Sequence, residues 1–419
     1  MDPQNERQIK KTNHRSKKND PIINCFDKLP YEIGIDILSS LPITSLVQLS
    51  FTCRSLNTFS RDPHLVSTHL SRSSINGSEC LILHSDYPIQ NQLHFLQLSG
   101  DNQKVRKINI PFAMSLPEFN IIGSSNGLLC LINTLFPESI YLYNPFTRDH
   151  LEIPKNFGSQ DQVVVYGFGF HLVTNDYKVI KITYYTASFY HHMAGLFRGF
   201  WQNCGRQLSE VQLYSLRSNV WTNKGVVPYR LEKWSSPGVL VSRRLHWVSR
   251  WGNYYDGRLQ RVIVSFDLVN DSFNVIKHPG SNPGPVGRWA SCHLADLNGC
   301  LTATVPCGHG AFSVWIMKEY GVNESWVNEY NIGAYYPVSM ISGEFERFHI
   351  WRNMFGKKLV RVLCVLKSGE LLLEYRGCGL VSYNLENGTF KEMVYPGMPR
   401  VYETMVHIGS LKSTAFPFL

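Results

Sequence analysis

One pattern returns six times along this chain and restricts its fold more than any other feature. Each copy is an apolar-aromatic strand, a polar turn and a second strand that often closes on proline. The copies read FLQLSGDNQKVRKINIP from Phe95, LYNPFTRDHLEIP from Leu142, LYSLRSNVWTNKG from Leu213, SFDLVNDSFNVIKHP from Ser265, VWIMKEYGVNESWVNEYNI from Val314 and SYNLENGTFKEMVYP from Ser382. Most follow a second kind of hairpin, a turn leading into a buried apolar run: GSSNGLLCLI (123–132), GVLVSRRLHWV (238–248), LADLNGCLTATV (294–305) and VLKSGELLLEY (365–375). GFGFHLVTNDYKVIKITY (167–184) fills that slot before the third copy, and CLILHSDYPIQNQLHFLQL the slot before the first. Two hairpins make a four-stranded sheet. Six such sheets, none able to cover both its faces, form a radial array, a β-propeller of about six blades. Closure is expected between strands near residues 80 and 405. A pair of packed β-sandwiches is the competing architecture, but it gives no reason for the repeat. The 13% aromatic share suits pleated surfaces.

Ahead of the repeat, the periodicity is helical. FDKLPYEIGIDILSSLP (26–42) reads as one helix between Pro30 and Pro42. At 100° per residue, Leu29, Ile33, Ile37 and Leu41 fall along one side. Tyr31, Ile35 and Leu38 fall on nearly the opposite side, and Glu32, Asp36, Ser39 and Ser40 form the polar arc. A surface helix buries one stripe and wets the rest. A helix with two apolar sides in so small a head implies a partner. PITSLVQLS and RDPHLVSTHL continue the helical region to about Arg72.

The remaining features exclude function classes. The formal charge is +9, and part of it sits in residues 1–24, where Arg7, Lys10, Lys11, Arg15, Lys17 and Lys18 outnumber the acids. That segment has the composition of a disordered basic tail. Beyond it, Lys and Arg are scattered among acids, with no stripe for nucleic acid. No apolar run approaches the length of a membrane span. The ten cysteines contain no CxxC pair, as in a reduced cytoplasmic or nuclear protein. No GxSxG, HExxH or Walker loop is present, and no cofactor is called for. GFGF (167–170) lacks the third glycine of a dinucleotide loop and reads as a turn. Cys292, His293, Cys300, Cys307 and His309 match no zinc spacing, so no metal site is assigned.

Two resemblances add to this. LPYEIGIDILSSLPITSLVQL and the continuation to RDPHLVSTHL resemble the F-box, departing at Leu56, where that family usually carries Trp. GSSNGLLCL, LYNPFTRDHLEIP, EVQLYSLRSNVW, GVLVSRRLHWV, IVSFDL and VLKSGELLLEY resemble, in order, the type-1 F-box-associated, kelch-like interaction domain of plant F-box proteins. The resemblance implies a helical F-box over 25–72 and an F-box-associated propeller over 79–412. It also implies a non-catalytic substrate-receptor subunit of an SCF-type ubiquitin ligase. Leu29, Pro30, Ile33, Ile37, Leu38, Leu41, Pro42, Leu46 and Leu56 then belong to the surface for a Skp-like adaptor, which leads on to cullin and a RING subunit. The target protein is expected on the propeller's connecting loops. Phe197, Arg198, Phe200 and Trp201 in the irregular stretch 186–207, and Trp251, Tyr254 and Tyr255 in SRWGNYYDG, are the candidate anchors. The rival readings are a propeller enzyme or small-ligand module, and an interaction scaffold without a ligase role.

Overall fold

The computed structural model describes residues 29–77, 79–87, 90–98, 103–135, 139–156, 163–185, 209–227, 229, 231, 238–249, 262–279, 292–338, 360–375 and 379–414. The basic tail expected over 1–24 lies outside them.

Four helices form the head: α1 (Tyr31–Ser39), α2 (Ile43–Ser50), α3 (Arg54–Phe59) and α4 (Pro63–Ile75). Pro30 and Pro42 each stand directly before a helix, where a missing N–H costs nothing. Asp62 caps α4 by accepting from the amides of His64 (2.8 Å) and Leu65 (3.1 Å). The last helix runs three residues past the expected Arg72. Among the described residues, no helix is long and apolar enough to cross a membrane.

Six four-stranded antiparallel sheets follow. The second blade is β4 (Phe119–Ser125), β5 (Leu128–Asn133), β6 (Ile140–Tyr143) and β7 (His150–Glu152). The third is β8 (Val163–His171), β9 (Asp176–Tyr184), β10 (Ser209–Ser215) and β11 (Val220–Asn223). The fourth is β12 (Val239–Val241), β13 (Arg244–Val248), β14 (Ile263–Asp267) and β15 (Ser272–Ile276). The fifth is β16 (His293–Leu297), β17 (Cys300–Gly308), β18 (Ala311–Met317) and β19 (Trp326–Ile332). The sixth is β20 (Val360–Val365), β21 (Leu371–Tyr375), β22 (Gly379–Tyr383) and β23 (Phe390–Glu392).

The first blade joins the two ends of the ring. Its β1 (Glu79–Tyr87), β2 (Gln92–Gln97) and β3 (Arg106–Ile108) come from the start of the repeat, and its innermost strand is β24 (Val401–Ile408). The register runs from Glu79 opposite Ile408 to Ser85 opposite Tyr402. CLILHSDYPIQNQLHFLQL therefore supplies the second and third strands of its blade, not the first and second. The innermost strands touch in a closed ring, β24 to β4, β8, β12, β16, β20 and back to β24. The fold is a helical head followed by a six-bladed β-propeller.

The core is divided among the blade interfaces. One apolar cluster lies between each pair of neighbouring blades, and a further one fills the head. Each sheet is thus covered on both faces, which is why β5 and β9 are buried along their whole length. GFGF, expected as a turn, is part of β8, with Gly167 lying under the Trp247 ring of the next blade. Cys292 and His293 are buried at the start of the fifth blade.

Candidate functional site

Helix α1 resolves the question of its two apolar sides. Ile35 and Leu38 point into the head, where Leu46, Leu56, Leu65 and Val66 meet them. The other side stays open, with Leu29 at 38% exposure, Ile33 at 47% and Ile37 at 42%. Pro30 and Pro42 are exposed beside them, and Leu41 is half-buried against the head core. Leu38, Leu46 and Leu56 were expected among the partner-facing residues. In the free chain they are buried in the head core, beneath the exposed stripe that they hold up. The helices of the head meet through these three leucines. Leu56 fills its place in the core with a large apolar side chain.

Polar contacts at each end fix the stripe. Arg72 of α4 pairs with Asp36 at 2.5 Å and also donates to the Ser39 hydroxyl at 2.8 Å and the Asp36 carbonyl at 3.0 Å. Ser39, placed in the polar arc by the helical wheel, is buried for this reason. At the other end, the Tyr31 hydroxyl donates to the Asp62 carboxylate at 3.0 Å, and its ring stacks on Phe59. Buried His69 is held below its ordinary pKa by desolvation, and its Nε2–H donates to the Leu41 carbonyl at 3.0 Å. The turn between α1 and α2 is thereby tied to α4.

The propeller has two unlike ends. Strands alternate in direction, so the turns after the first and third strands of each blade share one end. The head sits there: the β4–β5 turn, the β6–β7 turn and the start of β9 all meet residues 410–412, which also touch the head. The connections after the second and fourth strands leave from the opposite end. Those include β9 to β10, β11 to β12, β13 to β14, β15 to β16 and β19 to β20, the longest in the chain. Phe197, Arg198, Phe200, Trp201, Trp251, Tyr254 and Tyr255 belong to two of these connections and lie outside the described residues. The described strand ends that flank them, at Tyr184, Ser209, Val248 and Ile263, all face away from the head.

Two regions of this chain match known families. Residues 81–405 match the F-box associated beta propeller domain, and residues 26–72 match the F-box-like domain. The chain belongs to the F-box proteins with an F-box-associated propeller. The F-box protein At3g07870 of Arabidopsis thaliana is 41% identical over 394 residues, covering 92% of each chain. The F-box protein CPR1 of the same plant is 26% identical, covering 91% of this chain and 88% of its own. Against this family, the head is the F-box and the ring is the associated propeller. Among the described residues, no group of three or more His, Cys, Asp or Glu is placed to hold a metal ion.

Three features of the site escaped sequence reading. Arg361 is buried between the sixth and first blades, where it pairs with fully buried Glu374 and donates to the Thr404 carbonyl at 2.8 Å. Lys178 reaches the Leu268 carbonyl (2.7 Å) and Asp271 (3.0 Å) from a fully buried strand. The third is the segment after β24. Charged letters in apolar runs were the available signal for the first two, since a buried charge demands a partner. A plain hydrophobic pattern gives none for the last.

Proposed function

We propose that this chain is the substrate receptor of an SCF-type ubiquitin ligase. The observation that carries this is the braced, solvent-facing stripe of Leu29, Ile33 and Ile37 on a head whose own core is already filled. The propeller leaves that stripe open. A Skp-like adaptor laid across it would join the head to cullin and, through cullin, to the RING subunit. The propeller would hold the target protein at the end away from the head. Catalysis then needs no side-chain chemistry from this chain, because bringing the target's lysines to the conjugating enzyme supplies orientation and effective concentration. This work belongs to the cytoplasm or nucleus, where the ubiquitin machinery operates.

Co-purification of the full chain with a Skp-like adaptor tests this reading. A stable one-to-one complex that also recruits cullin is expected. A chain that stays alone in the presence of excess adaptor would leave the propeller as an interaction scaffold without a ligase role.

A further inference from the structure

The ring is complete at Ile408, where β24 ends opposite Glu79. Blade packing needs nothing beyond it, yet the next residues are deeply buried. Ser410 is fully buried, and Leu411, Lys412 and Thr414 nearly so. Leu411 does not join any blade interface. It lies in the core of the head with Ile35, Leu38, Leu46, Leu56, Leu65 and Val66. One member of that core therefore comes from the far end of the chain.

The propeller dictates the course of this segment. The Asn144 side-chain amide donates to the carbonyls of Ser410 (2.8 Å) and Lys412 (2.7 Å), the residues on either side of Leu411. Leu411 is thus held by its backbone on the second blade and by its side chain in the head. The β4–β5 turn gives way to the segment at Gly127, where an added Cβ would lie 2.2 Å from that of Ser410. Gly409 is pinched between Ile43 of the head and the Phe146 ring, 2.7 and 2.8 Å from where its Cβ would be. Lys412 extends its ammonium over the rings of Phe170 (5.0 Å) and Tyr177 (5.5 Å) of the third blade.

We propose that residues 409–414 are a strap that completes the F-box core only once the propeller ring has closed, so that competence for the adaptor depends on a finished propeller. A head of this size sits at the lower limit of what one hydrophobic core can support alone. Before closure, Leu411 lies on a free stretch of chain more than 300 residues from the head, and bringing it in must meet the entropy of that loop. After closure, β24 delivers it beside the short linker that joins α4 to β1. The second and third blades must also stand, because they hold the strap. A chain with an unfinished ring then leaves its head loose and does not occupy the adaptor. The adaptor half of this statement rests on the receptor reading above, whereas the structural half does not.

Leu411→Asn in the full chain separates the two. Hydrogen exchange is followed in the head (31–75) and in β5 and β9 as blade references, and affinity for a purified Skp-like adaptor is measured in parallel. Head amides are expected to exchange about tenfold faster or more, from the loss of a buried leucine contact. The blades should keep their wild-type rates, adaptor affinity should fall by about tenfold or more, and Leu411→Met should restore both. Wild-type protection of the head in the folded Asn variant overturns the proposal. So does loss of head and blade protection together in both Leu411→Asn and the milder Leu411→Val, which would make the molecule one cooperative unit. If the wild-type chain itself fails to bind adaptor, the receptor reading falls, and the exchange comparison still decides the strap.

Discussion

Ile33 and Ile37 offer the sharpest test of the adaptor face, because their neighbour Leu38 serves as an internal contrast. Fully burying an isoleucine stabilises by about 1.5–3 kcal/mol. Both residues are already a little more than half covered by the head. Docking a partner on the remainder would therefore contribute roughly 0.7–1.4 kcal/mol from each. Replacing both with alanine should weaken adaptor binding by about 10- to 100-fold. Ile33→Asp with Ile37→Asp should abolish binding, since the complex would have to desolvate two carboxylates without partners. Both pairs should leave the head folded with a modest loss of stability, because each side chain is only partly covered in the free chain. Leu38→Asp behaves differently: it puts a charge among Leu46, Leu56 and Leu65 and should unfold the head outright. Calorimetric titration with a Skp-like adaptor, paired with thermal melts, reads both effects. Wild-type affinity in the folded double-aspartate chain would place the adaptor elsewhere.

Arg361→Met should lower stability by about 3–5 kcal/mol, because it strands Glu374 in the seam between the sixth and first blades; Arg361→Met with Glu374→Leu should recover most of that in urea titrations, and equal loss in both would show that the pair is not the cause. Gly127→Ala should cost about 2 kcal/mol or more and displace the strap, since its φ is +85° and Ser410 fills the space; a crystal structure with an unmoved strap would refute this. Burial pushes His246 down to about 4 and His407 to about 3, so both are neutral when folded. Their contribution is complete above the unfolded value near 6.5 and is lost as pH falls toward 4, by up to about 1.4 kcal/mol per pH unit each. His246→Phe should flatten the stability profile between pH 6.5 and 4, and an unchanged slope would show that carboxylates alone set it.

The sequence carried the propeller because each blade repeats local chemistry. Turns such as Asn126-Gly127 and Asn298-Gly299 take the positive φ values that two-residue hairpins require, and apolar runs on either side declare buried strands. The ring's closure was legible as a meeting of the strands near 80 and 405, although the sequence pattern puts the hairpin CLILHSDYPIQNQLHFLQL one strand too far inward, because β24 takes the innermost position. The helix α1 was only half legible. A helical wheel shows that two sides are apolar, but not which one is inside, because both carry large apolar residues three or four positions apart. That choice is made by tertiary contact with Leu46, Leu56 and Leu65, residues whose own positions depend on how α2, α3 and α4 cross.

The strap shows a deeper limit. Leu411 stands in GSLKST, a short polar stretch that resembles the fraying end of a domain. Nothing local marks it as core. Its burial follows from Gly409, which lets the chain pass between Ile43 and Phe146, and from Asn144, a turn residue some 260 positions away. A pattern read along the chain finds elements that bury themselves against their sequence neighbours. It misses a residue whose partners are gathered only when the ring has closed. The same dependence gives Leu411 its proposed meaning, because a contact that no local segment can make reports on the completion of the whole fold.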